Sequence, residues 1–291
     1  MKRMLITGGS GYIGSIACEY FEKCGFLTKN IDIGSSNFKN RIDIRDYETM
    51  EKIFKSFKPT IVLHLAALAS VPLCQKNIKE AFDINVIGTS NTALLSNLTN
   101  SRLIFASSAA VYGSPMTIPT PVSTVTNPTN IYGLTKLLGE EIIKHISKNY
   151  AIFRIFNVYG GNCNRSYVIP DIIRKIKRNK KQIKLLGTGK ERKDFVFVND
   201  VLEVFNIATK KNINGVFNLG SGKPIDIDHL SRLIKRLMGT TRTKVTFEGV
   251  KREGDIEHSH ADINGINKFP GWQPNTKILE GLTYTIKSMN K

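Results

Sequence analysis

Apolar residues in the first half of the chain fall into short runs, each followed by a longer stretch with apolar positions three and four apart. The runs at 4–7, 28–33, 60–65, 103–106 and 151–155 have the length of strands. The stretches 13–24, 47–57, 78–98 and 132–148 carry the helical period and predict helices. Strand and helix in alternation predict βαβ units, hence an α/β fold with a doubly wound parallel sheet of Rossmann type. After Phe156 the pattern loosens into short strands, short helices and Gly-containing turns, which predicts a smaller C-terminal α/β lobe. The Pro/Thr/Ser-rich stretch 114–130 is long for a connection inside a compact domain, and such loops are usually functional or disordered.

The first predicted strand runs into Gly8-Gly9-Ser10-Gly11-Tyr12-Ile13-Gly14. Gly8, Gly11 and Gly14 follow a strand and open a helix, the context in which a glycine fingerprint holds a dinucleotide. One glycine permits the tight turn, another the approach of the pyrophosphate, and the last close packing of helix on strand. The helix start offers N–H groups and a positive dipole end to phosphates. Asp32 closes the second predicted strand at the separation expected of a carboxylate that hydrogen-bonds an adenosine ribose. A carboxylate there repels a 2′-phosphate, so NAD is the expected cofactor.

Tyr132 and Lys136 lie four apart, on one face of a predicted helix. Tyrosine titrates near 10, and a nearby ammonium is expected to lower that value. The pair can then exchange a proton with a hydroxyl while a nicotinamide exchanges a hydride. Ser108 follows a predicted strand in SSAAVYG and, from a strand's C-terminal end, could hydrogen-bond the same oxygen.

These motifs, in this order, resemble an extended short-chain dehydrogenase/reductase of the sugar-nucleotide epimerase/dehydratase family, most of all the UDP-glucose and UDP-N-acetylglucosamine 4-epimerases. The resemblance runs through TGGSGYIG, DIRD, HLAALASV, NVIGT, SSAAVYG, YGLTK, FRIFNVYG, DFVFVNDV, NLGSG and REGDI, nearly the whole chain. It implies a Rossmann domain over 1–157 with a return at roughly 196–219, and a mainly substrate-binding lobe over 158–291. It implies Ser108, Tyr132 and Lys136 as catalytic residues, Lys136 also touching the nicotinamide ribose. Tyr12 and Ile13 would join the glycines on the cofactor. Asp43 and Ile44 would border the adenine, and Leu65, Ala66 and Ala67 would line the cofactor path. On the substrate side it implies Ser70, Ser108, Asn157, Arg192, Arg252, Asp255 and Ser259. Arg252 would hold the diphosphate, Asp255 the nucleoside ribose, and Ser259 would leave room beside the sugar's C2 substituent.

Several features of the sequence bear on the family pattern. Lys193 stands where the family often has the Arg before the Asp of DFVFV, so Arg192 and Lys193 compete for the diphosphate. The segment between Asp32 and Asp43 is short, and an acidic residue often found before the Tyr motif is missing from PTPVSTVT. Ala109 and Ala110 follow Ser108, where dehydratases and decarboxylases of the family usually carry an acid. The expected reaction is therefore C4 epimerisation of a UDP-hexose or UDP-N-acetylhexosamine through a 4-keto sugar, with NAD tightly bound. A 4-keto-sugar reductase and a non-catalytic NAD-sensing scaffold are the alternatives within the fold.

Composition changes this picture little. The net charge of +18 raises an RNA-binding alternative, but the densest basic run, 174–184, has no interleaved aromatics and reads as a solvated helix face. No nucleic-acid partner is expected. No apolar run approaches the roughly 20 residues of a membrane span. The four cysteines form no CxxC pair and no metal spacing with the five histidines. The expectation is a cytoplasmic, metal-free homodimer, paired through the helices near 78–98 and 132–148.

Overall fold

The computed structural model describes residues 2–37, 41–161, 167–250, 256–268 and 272–290. The chain order is β1 (Arg3–Thr7), α1 (Tyr12–Lys23), β2 (Leu27–Ile31), α2 (Tyr47–Phe57), β3 (Ile61–His64), α3 (Val71–Lys76) and α4 (Ile78–Phe82). A π-turn over Asp83–Ile87 leads into α5 (Gly88–Leu98), then β4 (Arg102–Ser108), a 3₁₀ turn (Ala109–Tyr112), α6 (Ile131–Ile146) and β5 (Tyr150–Ile155). The second half holds β6 (Asn157–Tyr159), α7 (Val168–Arg178), β7 (Gln182–Leu185), β8 (Arg192–Phe197), α8 (Val198–Lys210) and β9 (Gly215–Leu219). It ends with β10 (Pro224–Asp226), α9 (Ile227–Leu237), β11 (Lys244–Phe247), β12 (His258–Ser259) and α10 (Ile278–Ser288).

The main sheet is parallel throughout, in the order β2-β1-β3-β4-β5-β9. Both faces are covered at the centre of the sheet, which is why β1, β3 and β4 read as largely apolar runs. Met4 and Ile6 pack with Ala17, Phe21 and Phe205 of α1 and α8. Leu5, on the opposite face, packs with Phe54 of α2, Ala93 of α5 and Ile143 of α6. The chain leaves β1 toward β2 and then crosses back to β3. Strand order therefore reverses between β1 and β3, and a crevice opens beyond their C-terminal ends, where such sheets bind ligands.

Among the described residues β2 is an edge strand. A Rossmann half of three strands would place another outside it. The stretch between Asp32 and Asp43 is too short for a strand and its return, and 41–43 run past without pairing.

The later segments build a second layer. β8 pairs antiparallel with β10 and parallel with β12 and β6, and β7 pairs parallel with β11. Ile172, Ile173 and Ile176 of α7, Leu230 and Ile234 of α9, and Leu282 of α10 bury against these strands. The 114–130 loop is tied to this layer. Thr120 N–H donates to the His260 carbonyl at 2.8 Å, and its own carbonyl accepts from Asp262 N–H at 3.0 Å. No helix among the described residues is long and apolar enough to cross a membrane.

Candidate active site

The switch-point crevice is shaped by glycines. Gly8 follows β1 with φ +74°, and a Cβ on it would lie 2.6 Å from the backbone of Ala66. A Cβ on Gly14 would lie 2.1 Å from the Gly8 carbonyl oxygen, so α1 can pack on the loop only because both are glycine. Gly11 is the N-cap of α1 and offers no side-chain cap; Tyr12, Ile13 and Gly14 form its first turn, which has no acidic residue. That arrangement leaves the helix end suited to phosphate. Asp32 stands at the crevice edge, accepting from Ser10 N–H at 3.0 Å and Gly34 N–H at 2.7 Å. Leu65, Ala66 and Ala67, half-buried after β3, form the opposite wall.

Asp43 and Ile44 differ in exposure. The Arg45 guanidinium grips the Asp43 carboxylate at 2.5–2.9 Å and holds its pKa below the usual range. Ile44 is buried against Gly88, with its carbonyl accepting from Asn91 at 3.0 Å.

Ser108 ends β4, and its Oγ accepts from Ala110 N–H at 3.2 Å. Tyr132 and Lys136 share the first two turns of α6, which Asn130 caps through Gly133 N–H at 2.8 Å. The Tyr132 phenol faces the Ser108 hydroxyl, yet burial outweighs that contact and pushes its pKa up. Burial pulls Lys136 down to about 7. The Lys136 ammonium lies 4.0 Å from the centre of the Phe105 ring and has no hydrogen-bond acceptor among the described residues. The expectation that Lys136 lowers the Tyr132 pKa is thus corrected for the protein by itself. Both groups are desolvated, and each is driven toward its neutral form. A cation with no hydrogen-bond acceptor among the described residues, beside a glycine-shaped crevice, fits a ribose hydroxyl. The residues present therefore suit a dinucleotide.

On the substrate side the structure distinguishes the settings of the expected residues. Arg192 is exposed and turned toward Asp226 at 3.5 Å, whereas Lys193 is buried and directs its ammonium to the Ile256 carbonyl. Successive side chains of β8 alternate, so only one of the pair can face inward, and it is Lys193. Ser259 is buried on β12, and its Oγ accepts from Asn157 Nδ2 at 3.1 Å and from Asp194 N–H at 3.4 Å. Asn157 Nδ2 also donates to the Asp194 carbonyl at 3.0 Å. Ser70 caps α3 through Leu73 N–H at 3.4 Å. Arg252 and Asp255 lie outside the described residues.

The model of the NAD dependent epimerase/dehydratase family matches residues 4–220, the glycine loop through β9. The chain belongs to this family. NAD is accordingly its cofactor. A Methanocaldococcus jannaschii relative, provisionally named a UDP-glucose 4-epimerase, is 32% identical over 98% of both chains. The UDP-glucose 4-epimerase of Thermotoga maritima, solved with UDP-glucose, superposes with a TM-score of 0.91 at 28% identity, covering 99% of this chain and 98% of that one. The UDP-N-acetylglucosamine 4-epimerase of Methanobrevibacter ruminantium, solved with UDP-N-acetylmuramic acid, has the same values.

Within this epimerase/dehydratase framework, several polar residues at the site escaped sequence reasoning. Asn85, in the π-turn, accepts from Leu68 N–H at 2.7 Å and donates to Thr135 Oγ1 at 3.0 Å. Glu140 is fully buried one turn after Lys136 and is held by Arg154 at 2.8–3.1 Å and by Ser107 Oγ at 2.5 Å. HLAA, NVIGT and YGLTK contain or adjoin these residues, but a motif does not say which side chains meet.

Proposed function

We propose that this protein is a 4-epimerase of a UDP-hexose or UDP-N-acetylhexosamine. The observation that carries the reading is the set Ser108, Tyr132 and Lys136 beside the cofactor crevice, followed by Ala109 and Ala110 in a buried turn with no acidic side chain. Elimination from the sugar would need an acid there to protonate the departing hydroxyl; reversible oxidation at one carbon does not. Bound NAD supplies the hydride acceptor at C4. Tyr132 moves the proton of the 4-hydroxyl, and Ser108 hydrogen-bonds the same oxygen. Lys136 holds the nicotinamide ribose and, as a cation, favours the tyrosinate once the crevice is filled. With NAD bound, the 4-keto sugar would turn over in the site and take hydride back on its other face. The sequences of two functionally named structures, one solved with UDP-glucose and one named for N-acetylglucosamine, support both sugar classes equally.

Asp32 meets the adenosine ribose in this reading. NAD should bind at least tenfold more tightly than NADP, and Asp32→Ala should weaken NAD by about 1.5–3 kcal/mol, the scale of a hydrogen bond to a charged group. Titration of both cofactors by thermal shift measures this; equal affinities would remove Asp32 from the ribose.

Lys193, rather than Arg192, meets the diphosphate. Lys193→Ala should raise KM for the nucleotide sugar roughly tenfold or more, the loss of one charge-assisted contact. Arg192→Ala should leave it within about twofold, since an exposed pair contributes little. The reverse ranking would restore Arg192. Ile87, Leu94 and Leu98 leave apolar surface exposed along the π-turn and α5, and we place a homodimer contact there, which sedimentation equilibrium tests. A monomer at micromolar concentration would rule it out.

A further inference from the structure

His64 ends β3 after Ile61, Val62 and Leu63, and is wholly buried. A polar ring in such a strand costs free energy unless both nitrogens are satisfied. Both are. Nδ1 lies 2.6 Å from Thr7 Oγ1 at the end of β1, and Nε2 lies 2.9 Å from Thr89 Oγ1 on α5.

The partners fix the direction of every bond. Thr89 Oγ1 lies 2.6 Å from the Asn85 carbonyl, which can only accept, so Thr89 donates there. Its oxygen then accepts from His64 Nε2–H. Nδ1 is therefore the bare nitrogen, and it accepts from the Thr7 hydroxyl. Thr7 Oγ1 in turn accepts from Ala66 N–H at 3.3 Å. The ring is a neutral Nε2–H tautomer, whose assignment follows from the network rather than from an observed hydrogen. A second proton would set Nδ1–H against the Thr7 hydroxyl. Burial and the nearby Lys136 ammonium oppose it as well and take the pKa down to about 3.

The two ends of this chain are the site itself. One is the backbone of Ala66, on the cofactor wall. The other is Asn85, whose side chain holds the backbone of Leu68 on that same wall and reaches Thr135 Oγ1. Thr135 donates to the Tyr132 carbonyl at 2.9 Å. Phe105, stacked on the His64 ring at 5.4 Å, carries the Lys136 ammonium. π-Turns such as 83–87 often occur at functional sites.

We propose that His64 is a positioning residue: as its neutral Nε2–H tautomer it sets the cofactor wall Ala66–Leu68 against the helix that carries Tyr132 and Lys136. The inference rests on reading those two as the catalytic pair.

Two measurements test it. In wild-type holoenzyme with ¹⁵N-labelled histidine, NMR should show His64 as a single Nε2–H tautomer that does not titrate between about pH 5 and 8, where an ordinary histidine does. An Nδ1–H tautomer, or titration in that range, overturns the proposal, whatever the substrate proves to be. In His64→Phe, which keeps most of the volume, and in Thr89→Val, kcat of the folded holoenzyme should fall roughly tenfold or more, because misplacement by about 1 Å can cost 10²-fold. Bound NAD and KM should stay within about twofold. A lower melting temperature with kcat per folded, NAD-loaded molecule unchanged would mean that His64 is structural only, and overturns the positioning role. If His64→Phe does not fold, Thr89→Val carries the kinetic arm.

Discussion

Tyr132→Phe should give a folded, NAD-loaded protein whose turnover is about 10²–10⁴-fold slower, the usual worth of a general acid–base group. The substitution deletes one oxygen from the start of α6. It leaves the Asn130 cap and the buried faces of Gly133, Thr135 and Glu140 intact, so neither the fold nor the crevice has reason to change. What is lost is an ionisable group that faces the Ser108 hydroxyl. The effect should fall on kcat rather than KM, because the proton moves only on the way to the 4-keto sugar. Ser108→Ala should be milder, since Tyr132 remains. Steady-state rates, with NAD content read from the absorbance of the released cofactor, measure this. Retention of more than half the wild-type kcat would show that another group moves the proton.

Lys136→Met should act in opposite directions on stability and function. The lysine is 3% exposed, its ammonium lies over the Phe105 ring, and burial, outweighing the opposing pull of Glu140 and Cys74, holds its pKa at about 7. In the unfolded chain the same group titrates near 10.4. Between these values the unfolded state binds the proton that the native state releases, so the stability of cofactor-free protein rises with pH through that window. Below about pH 7 both states are protonated and the burial penalty is present in full. Methionine fills similar space without charge. Cofactor-free Lys136→Met should therefore melt higher than wild type, most clearly near pH 6, by about 2–4 °C for each kcal/mol relieved. The pH slope above 7 should flatten. The same variant should bind NAD more weakly and lose turnover about 10²-fold or more, since it lacks both the ribose donor and the cation that favours the tyrosinate. Melting curves of cofactor-free protein from pH 6 to 9 decide the first half. A lower melting point in the variant, with the slope unchanged, would mean that the ammonium is already paid for by a contact in the native state.

The strands were legible because both faces of the sheet are buried. Runs such as Met4-Leu5-Ile6 cannot alternate with polar residues when α1 and α2 cover opposite sides. Helix α2 falls at 47–57 as its periodicity requires, between the Asp46 cap and a left-handed Lys58. The predicted helix 78–98 is instead α4, a π-turn and α5, because Asn85 turns inward to hold the Leu68 backbone. Hydrophobic period does not register one inserted residue that serves a polar contact. Glycines 8, 11 and 14 and the pair Tyr132 and Lys136 stood out because their spacing alone implies a turn, a helix start or a shared face.

What spacing could not supply was partners. That Arg192 and Lys193 face opposite sides follows from a strand; that Lys193 is the inner one depends on β12 and β10 packing beside it. That the Ser259 oxygen accepts from Asn157, a residue 102 positions away, could not be read from spacing either. The desolvation of Tyr132 and Lys136 has the same origin, since burial is a property of the assembled crevice.

The central claim, epimerisation at C4 with NAD retained, is tested most directly by incubating the purified protein, without added cofactor, with UDP-glucose and with UDP-N-acetylglucosamine while ¹H NMR follows the anomeric signals. The account predicts that at least one of them equilibrates with its C4 epimer, with many turnovers per bound NAD and no net NADH formed. Turnover only when stoichiometric reductant is supplied, or conversion to a dehydrated or decarboxylated sugar, would contradict it.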